Sequence, residues 1–347
     1  MYDNADVYLI FDADMRFYLT GQRVSSGCVV LTKKSNFYIT DSRYETALRE
    51  ALPNFEIIIA KRDALYTAVA ELLKRLDAAS VGFEDDTISY RDFNDLKSAA
   101  GKTAKFVPSS KSFSEMRAVK TKQELEKIQN AQRITELAYK AAITRLWAGV
   151  SEREIAAFII YEMIRGGADD YAFFPIVSFG PNTDKPHHSP DDTRLEKGDV
   201  VMLDMGAKYQ GYCTDMTRTV FYGEPSKEFV KIYEIVLGAQ LTALNNIKAG
   251  VTCNEADSYA REYIRGNGYD KEFGHGSGHG VGVKIHDEPN LTSGNMTILR
   301  ANMVVTVEPG LYLPGLGGVR IEDIAVVTET GVTNLTTVKK ELTILKA

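Results

Sequence analysis

The sequence has few cysteines, no long apolar run and no basic excess. Its three cysteines, Cys28, Cys213 and Cys253, are widely spaced and odd in number, and no CxxC occurs. A disulfide framework is therefore excluded, and a reducing, cytoplasmic setting is expected. No stretch approaches the roughly 20 apolar residues of a membrane span, so no membrane partner is expected. The opening MYDNADVYLI lacks the basic start and apolar core of a secretory leader. A net charge of −6 gains little from a phosphate backbone, which argues against nucleic acid as a partner. Histidine is missing from the whole first half; all five (His187, His188, His275, His279 and His286) come later.

What is present is ordinary for a globular chain: 347 residues, 44% hydrophobic and 25% charged. That length suggests two domains and a large core. Residues 1–112 alternate strand-like runs (7–11, 28–31, 37–39) with helical spacing (44–52, 64–76), the pattern of an α/β domain. The polar, turn-rich stretch 108–114 places the linker there. Residues 113–347 form the second domain. It begins with a long helix whose Leu125, Ile128, Ala131, Ile134, Ala138, Ala141 and Ala142 share one face.

The second domain repeats itself. Ala148-Gly149-Val150-Ser151 recurs as Ala249-Gly250-Val251-Thr252, and each opens a helix. Ser151 with Glu154 makes a capping box, and Gly166 and Gly266 suit left-handed caps. Residues 195–206 then parallel 299–310, each a buried-strand pattern ending in an acid. Two matches in order suggest duplicated halves about a pseudo-two-fold axis. The alternative is that helix-plus-strand units merely look alike.

Each half continues into a hairpin. A turn at Tyr209-Gln210 sets Lys208 opposite Gly211, Gly206 opposite Cys213 and Asp204 opposite Asp215. A turn centred on Gly315 sets Gly310 opposite Arg320 and Glu308 opposite Glu322. Like charges facing across a ladder destabilise it, and burial adds desolvation. Divalent cations between the acids are the economical remedy. The alternative is that Arg218 or Arg320 neutralises one acid of each pair. The glycine-rich run around His275 and His279 is a poor helix, and its glycines let backbone approach a ligand closely. His187 and His188 lie in a proline-punctuated loop, where one of them is expected to matter and its neighbour to be solvated.

VVMLDMGAKYQGYCTDMTRT, HGSGHGVGVKIHDEP, TVEPGLY and GGVRIED closely resemble the signatures of metallopeptidases with the pita-bread fold, in particular the Xaa-Pro branch of prolidase and aminopeptidase P. The resemblance covers the second half. The first half resembles the creatinase-like N-terminal domain more weakly, and opens shorter, with a strand by about Asp6. It implies an α+β pita-bread catalytic domain with an internal repeat behind a smaller α/β domain. It implies two divalent ions, manganese favoured over cobalt, iron or zinc. Asp204 would bind one ion through both oxygens, Asp215 and Glu322 would bridge the two, and His279 and Glu308 would complete the second ion's ligand set. His187 would contact substrate or shuttle a proton, His275 would line the proline pocket, and His286 would touch the substrate carbonyl. Arg320 would hold a bridging carboxylate or substrate. Glu308 would act as the general base. The implied activity is hydrolysis of Xaa-Pro bonds in small proline-containing peptides by a homodimer. The compact length leans toward the dipeptidase over an aminopeptidase acting on longer peptides. A non-catalytic binding module of this fold is the reading from a different class, and it would be expected to have lost ligands.

Overall fold

The computed structural model describes residues 5–101 and 104–347. It divides into two units, Met1–Met116 and Arg117–Ala347. Among the described residues no helix is long and apolar enough to cross a membrane.

The first unit is a six-stranded sheet in the order Phe55–Ile59, Asn36–Thr40, Cys28–Thr32, Val7–Ile10, Ser80–Phe83, Lys105–Pro108. Val7–Ile10 pairs antiparallel with Cys28–Thr32 and parallel with Ser80–Phe83. The strand is buried throughout, as a run without polar alternation requires. One sheet face packs Leu9, Val30, Ile39 and Val81 against Val69, Leu72, Leu73 and Leu96 of two helices. The other packs Tyr8, Ile10, Val29 and Tyr38 against Met15, Leu48, Leu52 and Phe113. The segment 108–114 is more regular than its polar composition suggests. It ends the strand Lys105–Pro108 and starts the helix Ser110–Ala118.

The second unit is built twice. The helices Lys122–Ile143 and Glu152–Arg165 cover a sheet containing Ile176–Phe179, Val200–Met205 and Met216–Tyr222. The helices Lys227–Asn246 and Cys253–Gly266 cover one containing Gly278–Gly280, Val304–Val307 and Asp323–Val327. Both second helices start with a complete capping box, Ser151 with Glu154 and Thr252 with Glu255. The backbone bonds repeat as well. Gly149 N–H donates to Leu195 O at 2.8 Å, and Gly250 N–H to Leu299 O at 2.9 Å. Glu152 N–H donates to Thr193 O at 3.1 Å, and Cys253 N–H to Thr297 O at 2.9 Å. The left-handed glycines lie further on than the sequence reading put them. Gly166 keeps a helical φ of −74°, and Gly167 (97°) and Gly268 (87°) make the turn.

The first hairpin differs from its expected register. Gln210 (φ 45°) and Gly211 (φ 83°) form the turn, so Tyr209 pairs with Tyr212 and Lys208 with Cys213. A two-residue turn of this hand needs positive φ at both positions, which suits Gln-Gly and not Tyr-Gln. Asp204 consequently faces Thr217, and Asp215 is its diagonal neighbour. The slip is two residues, so each side chain keeps its face and the acids still converge. The second hairpin has Gly310 opposite Arg320, and Val307 opposite Asp323 continues that register, so Glu308 and Glu322 lie level between the two ladders.

Candidate metal centre

Strand ends of both halves deliver their acids to one cavity. Asp204 belongs to Val200–Met205, and Asp215 follows the short strand Tyr212–Cys213. Glu308 follows Val304–Val307, and Glu322 sits between Gly317–Arg320 and Asp323–Val327. His279 is at the middle of Gly278–Gly280. The glycines beside it are needed for strand packing, and Gly278 also lines the cavity. A Cβ at Gly278 would run into Thr306 O, and one at Gly280 into Glu288 O.

Asp204, Asp215, His279 and Glu322 are all buried, and Glu308 is half-buried. His279 Nε2 lies 3.5 Å from Asp215 Oδ2 and 3.4 Å from Glu308 Oε1. Its Nδ1 is 3.0 Å from Gly280 O, a group that can only accept. In the neutral ring, Nδ1 therefore carries the proton and Nε2 turns its lone pair toward the acids. Such a carbonyl-oriented imidazole is the usual arrangement of a metal-ligating histidine.

Of seven buried side-chain polar atoms without a partner among the described residues, three are Asp204 Oδ1, Asp215 Oδ1 and Glu322 Oε1. Leaving a buried acceptor unsatisfied costs about 1–3 kcal/mol, and more if it is charged. Burial pushes the Asp215 carboxyl well above its ordinary range, and Asp204 and Glu308 push it further. Burial does the same to Glu322, reinforced by Asp215 and Glu308. Asp204 is also raised by burial, against the pull of Arg320. Neutralisation by arginine is incomplete. Arg320 Nη2 donates to Asp204 Oδ2 at 2.6 Å, but its other donors go to Thr217, Tyr312 and Pro186 O. Arg218 points elsewhere, to Asp323 Oδ1 at 2.7 Å and to Glu322 O at 2.5 Å. Hard oxygen donors, one imidazole and orphaned lone pairs are a set that fits divalent cations.

The cavity measures about 490 Å³, and Phe173, Phe174 and Ile176 form an apolar wall. His187 and His286 line it and are exposed, while His275 is half-buried. His286 stacks edge-on to His279 with ring centroids 4.5 Å apart, and the partial desolvation of its ring within the cavity, followed by the charge of His279, lowers its pKa. Burial also lowers that of His275, whose Nε2 is 3.0 Å from the Tyr312 hydroxyl. His188 departs from the expected solvated neighbour. Its side chain is packed inward, with Nε2 2.6 Å from the fully buried Glu152.

Residues 126–329 match the model of metallopeptidase family M24, and residues 3–119 that of the creatinase/prolidase N-terminal domain. The chain belongs to metallopeptidase family M24. It is 40% identical to the solved Xaa-Pro dipeptidase from Bacillus anthracis, with a TM-score of 0.94 over 98% of this chain and 95% of that one. The X-Pro aminopeptidase from Thermotoga maritima MSB8 is 36% identical with a TM-score of 0.90, covering 98% of each chain. The Xaa-Pro dipeptidase of Pyrococcus furiosus is 37% identical over 94% of this chain and 92% of its own length.

Sequence reasoning missed several supports of this M24 site. Thr217 Oγ1 donates to Glu322 Oε2 at 2.7 Å, and Thr306 Oγ1 to Glu308 Oε1 at 3.2 Å. Both threonines lie two residues from an acid on the same strand face, which is the signal that could have found them. Behind Glu322, Asp323 is buried with Arg218, Lys340, Gln240 and Asn334. Arg218→Met leaves Asp323 without its arginine and is expected to cost about 3–5 kcal/mol in urea unfolding. A loss below 1 kcal/mol would show that Lys340 alone suffices.

Proposed function

We propose that this metallopeptidase hydrolyses the bond between an N-terminal residue and proline, and that Xaa-Pro dipeptides are its preferred substrates. Asp204, Asp215, His279, Glu308 and Glu322 hold two divalent ions, with manganese the favoured metal. Three orphaned carboxylate oxygens, on acids that line one cavity with the His279 imidazole, carry this reading. Ions bound there supply acidification of a water molecule and polarisation of a carbonyl.

The protein's own groups do the rest. Glu308 is the most open of the acids flanking His279, with 18% side-chain exposure against 7% for Asp215. It accepts the proton of the attacking water and passes it to the leaving nitrogen. His286, edge-on to His279 at the cavity's mouth, offers an N–H where negative charge develops on the substrate oxygen. His187 stands in the same cavity for substrate contact or proton transfer. Proline's nitrogen carries no hydrogen, so the pocket needs no acceptor for it, only room for the ring. His275, edge-on to Phe273 and beside Tyr312, supplies part of that wall. Arg320 keeps Asp204 in place.

Relatives named as Xaa-Pro dipeptidases support the dipeptide preference. The Thermotoga structure, named an X-Pro aminopeptidase, supports action on longer peptides as the second reading. Ala-Pro and Ala-Pro-Ala, assayed with Mn²⁺, separate the two. The higher kcat/KM is expected on Ala-Pro. Cleavage of the tripeptide alone would favour the second reading, and cleavage of neither would overturn both.

A further inference from the structure

Glu152, His188 and Asp191 bring their polar atoms within 4.8 Å of one another, and of the three only His188 also lines the acid cavity. The cluster has the composition of a metal site but not its vacancies. Glu152 Oε1 accepts from Phe179 N–H at 2.8 Å and from Asn182 Nδ2 at 3.1 Å. Its Oε2 takes His188 Nε2 at 2.6 Å and Asp191 N–H at 3.1 Å. A carboxylate has about four lone-pair sites, and here four donors fill them.

The four donors share one property: they are spread along a single loop. Phe179 ends the strand Ile176–Phe179, Asn182 lies in the following 3-10 turn Gly180–Asp184, and His188 and Asp191 lie beyond it. His187, which lines the acid cavity, is enclosed in that span. The loop's opposite side is fixed to the second half. Gly318 N–H donates to Thr183 Oγ1 at 2.8 Å, and Arg320 Nη1 to Pro186 O at 3.3 Å. Glu152 is thus the outer anchor of a loop whose inner anchor is the arginine that holds Asp204.

The internal repeat isolates what this carboxylate is for. Glu152 is the first residue of its helix, and Cys253 holds the same place in the second copy. The surrounding backbone bonds are alike in both. Arg153 N–H donates to Asp191 O at 3.1 Å, and Asn254 N–H to Asn295 O at 2.8 Å. The shared frame therefore forms without an acid, and Cys253 in that place simply joins the core. Only the copy whose loop carries the His187-His188 pair has one.

We propose that Glu152, acting through its bond to His188, is the positioning residue that fixes His187 in the active site. This rests on the role given to His187 above. Holding a reacting group to within about 1 Å can be worth on the order of 100-fold in rate. The histidine pair then divides its labour. His188 is tied inward so that His187, at the next position, is presented to substrate.

The test is a double-mutant cycle on the metal-loaded protein, with Glu152→Gln, His187→Ala and the pair. Glu152→Gln keeps the shape but turns one acceptor into a donor. It is expected to lower kcat/KM by roughly 10- to 100-fold, chiefly in kcat, with metal content unchanged. On the His187→Ala background it should cost less than about 2-fold, because the residue it positions is gone. His188→Gln, which keeps a donor, should retain more activity than His188→Leu, and these two run the same cycle if Glu152→Gln does not fold. Equal losses on both backgrounds, or wild-type activity in Glu152→Gln, would overturn the proposal alone. Wild-type activity in His187→Ala would overturn the role of His187 and the proposal with it.

Discussion

Asp215→Asn is expected to lose hydrolysis of Xaa-Pro substrates by about 10³-fold or more, because it disables a unit and not a single contact. Asparagine matches aspartate in shape, so the fold has no steric reason to change. What changes is charge and donor strength at a position within 4.8 Å of both His279 and Glu322. An amide nitrogen cannot ligate a hard cation, and the remaining carbonyl carries no net charge. His279→Ala should behave the same way, since Nε2 faces Asp215 and Glu308 together. The measurement is kcat/KM on Ala-Pro with Mn²⁺ in excess, alongside circular dichroism to verify folding. A folded Asp215→Asn protein within tenfold of wild type would show that Asp215 is not part of the reacting assembly.

The second large effect concerns stability without metal. Asp204, Asp215 and Glu322 have folded-state pKa values raised above their ordinary ones, with burial as the first cause. The sign follows from linkage: the folded state binds protons more tightly than the unfolded chain. Their favourable contribution is full below the unfolded carboxylate range, about pH 4, and is lost as pH rises through the raised folded values. At neutral pH the metal-free protein therefore bears a penalty at this cluster, whether as charge repulsion or as the cost of taking up protons. Chelation should lower Tm, since ions at a thousandfold excess over Kd contribute about 4 kcal/mol. Asp215→Asn should reverse the order. In the metal-free state it should melt above wild type at pH 7, with the gap narrowing toward pH 4. With metal added, wild type should melt higher. Comparing the two proteins cancels groups titrating in the opposite sense, such as Asp323, whose pKa is lowered by Arg218 and Lys340 against the effect of burial. Metal-free melting curves that coincide at every pH would contradict the electrostatic picture.

Much of this site was legible because its cues are local. Ser151 with Glu154 is a helix start, and the spacing around Gly315 sets the second hairpin's register without tertiary help. The first hairpin was misread at Gln210-Gly211, where positive φ and not sequence symmetry decides the turn. The convergence of Asp204 and Asp215 survived that error because a two-residue slip conserves the face. Long-range partners were the illegible part. Spacing sets Thr217 two residues from Asp215, yet its hydroxyl meets Glu322, 105 positions away, and the acid that Arg320 reaches is Asp204, across 116. Glu152 reads in sequence as an ordinary acid in a helix's first turn, favourable there whatever else it does. Its bonds to Phe179, Asn182, His188 and Asp191 exist only once the loop has folded back.

Elemental analysis of the purified protein, loaded with Mn²⁺ and freed of excess, tests most directly whether cations reconcile these buried carboxylates. About two divalent ions per chain are expected in wild type, and fewer than about one in folded Asp215→Asn. A wild-type protein that cleaves Ala-Pro while retaining no divalent metal would contradict the assignment.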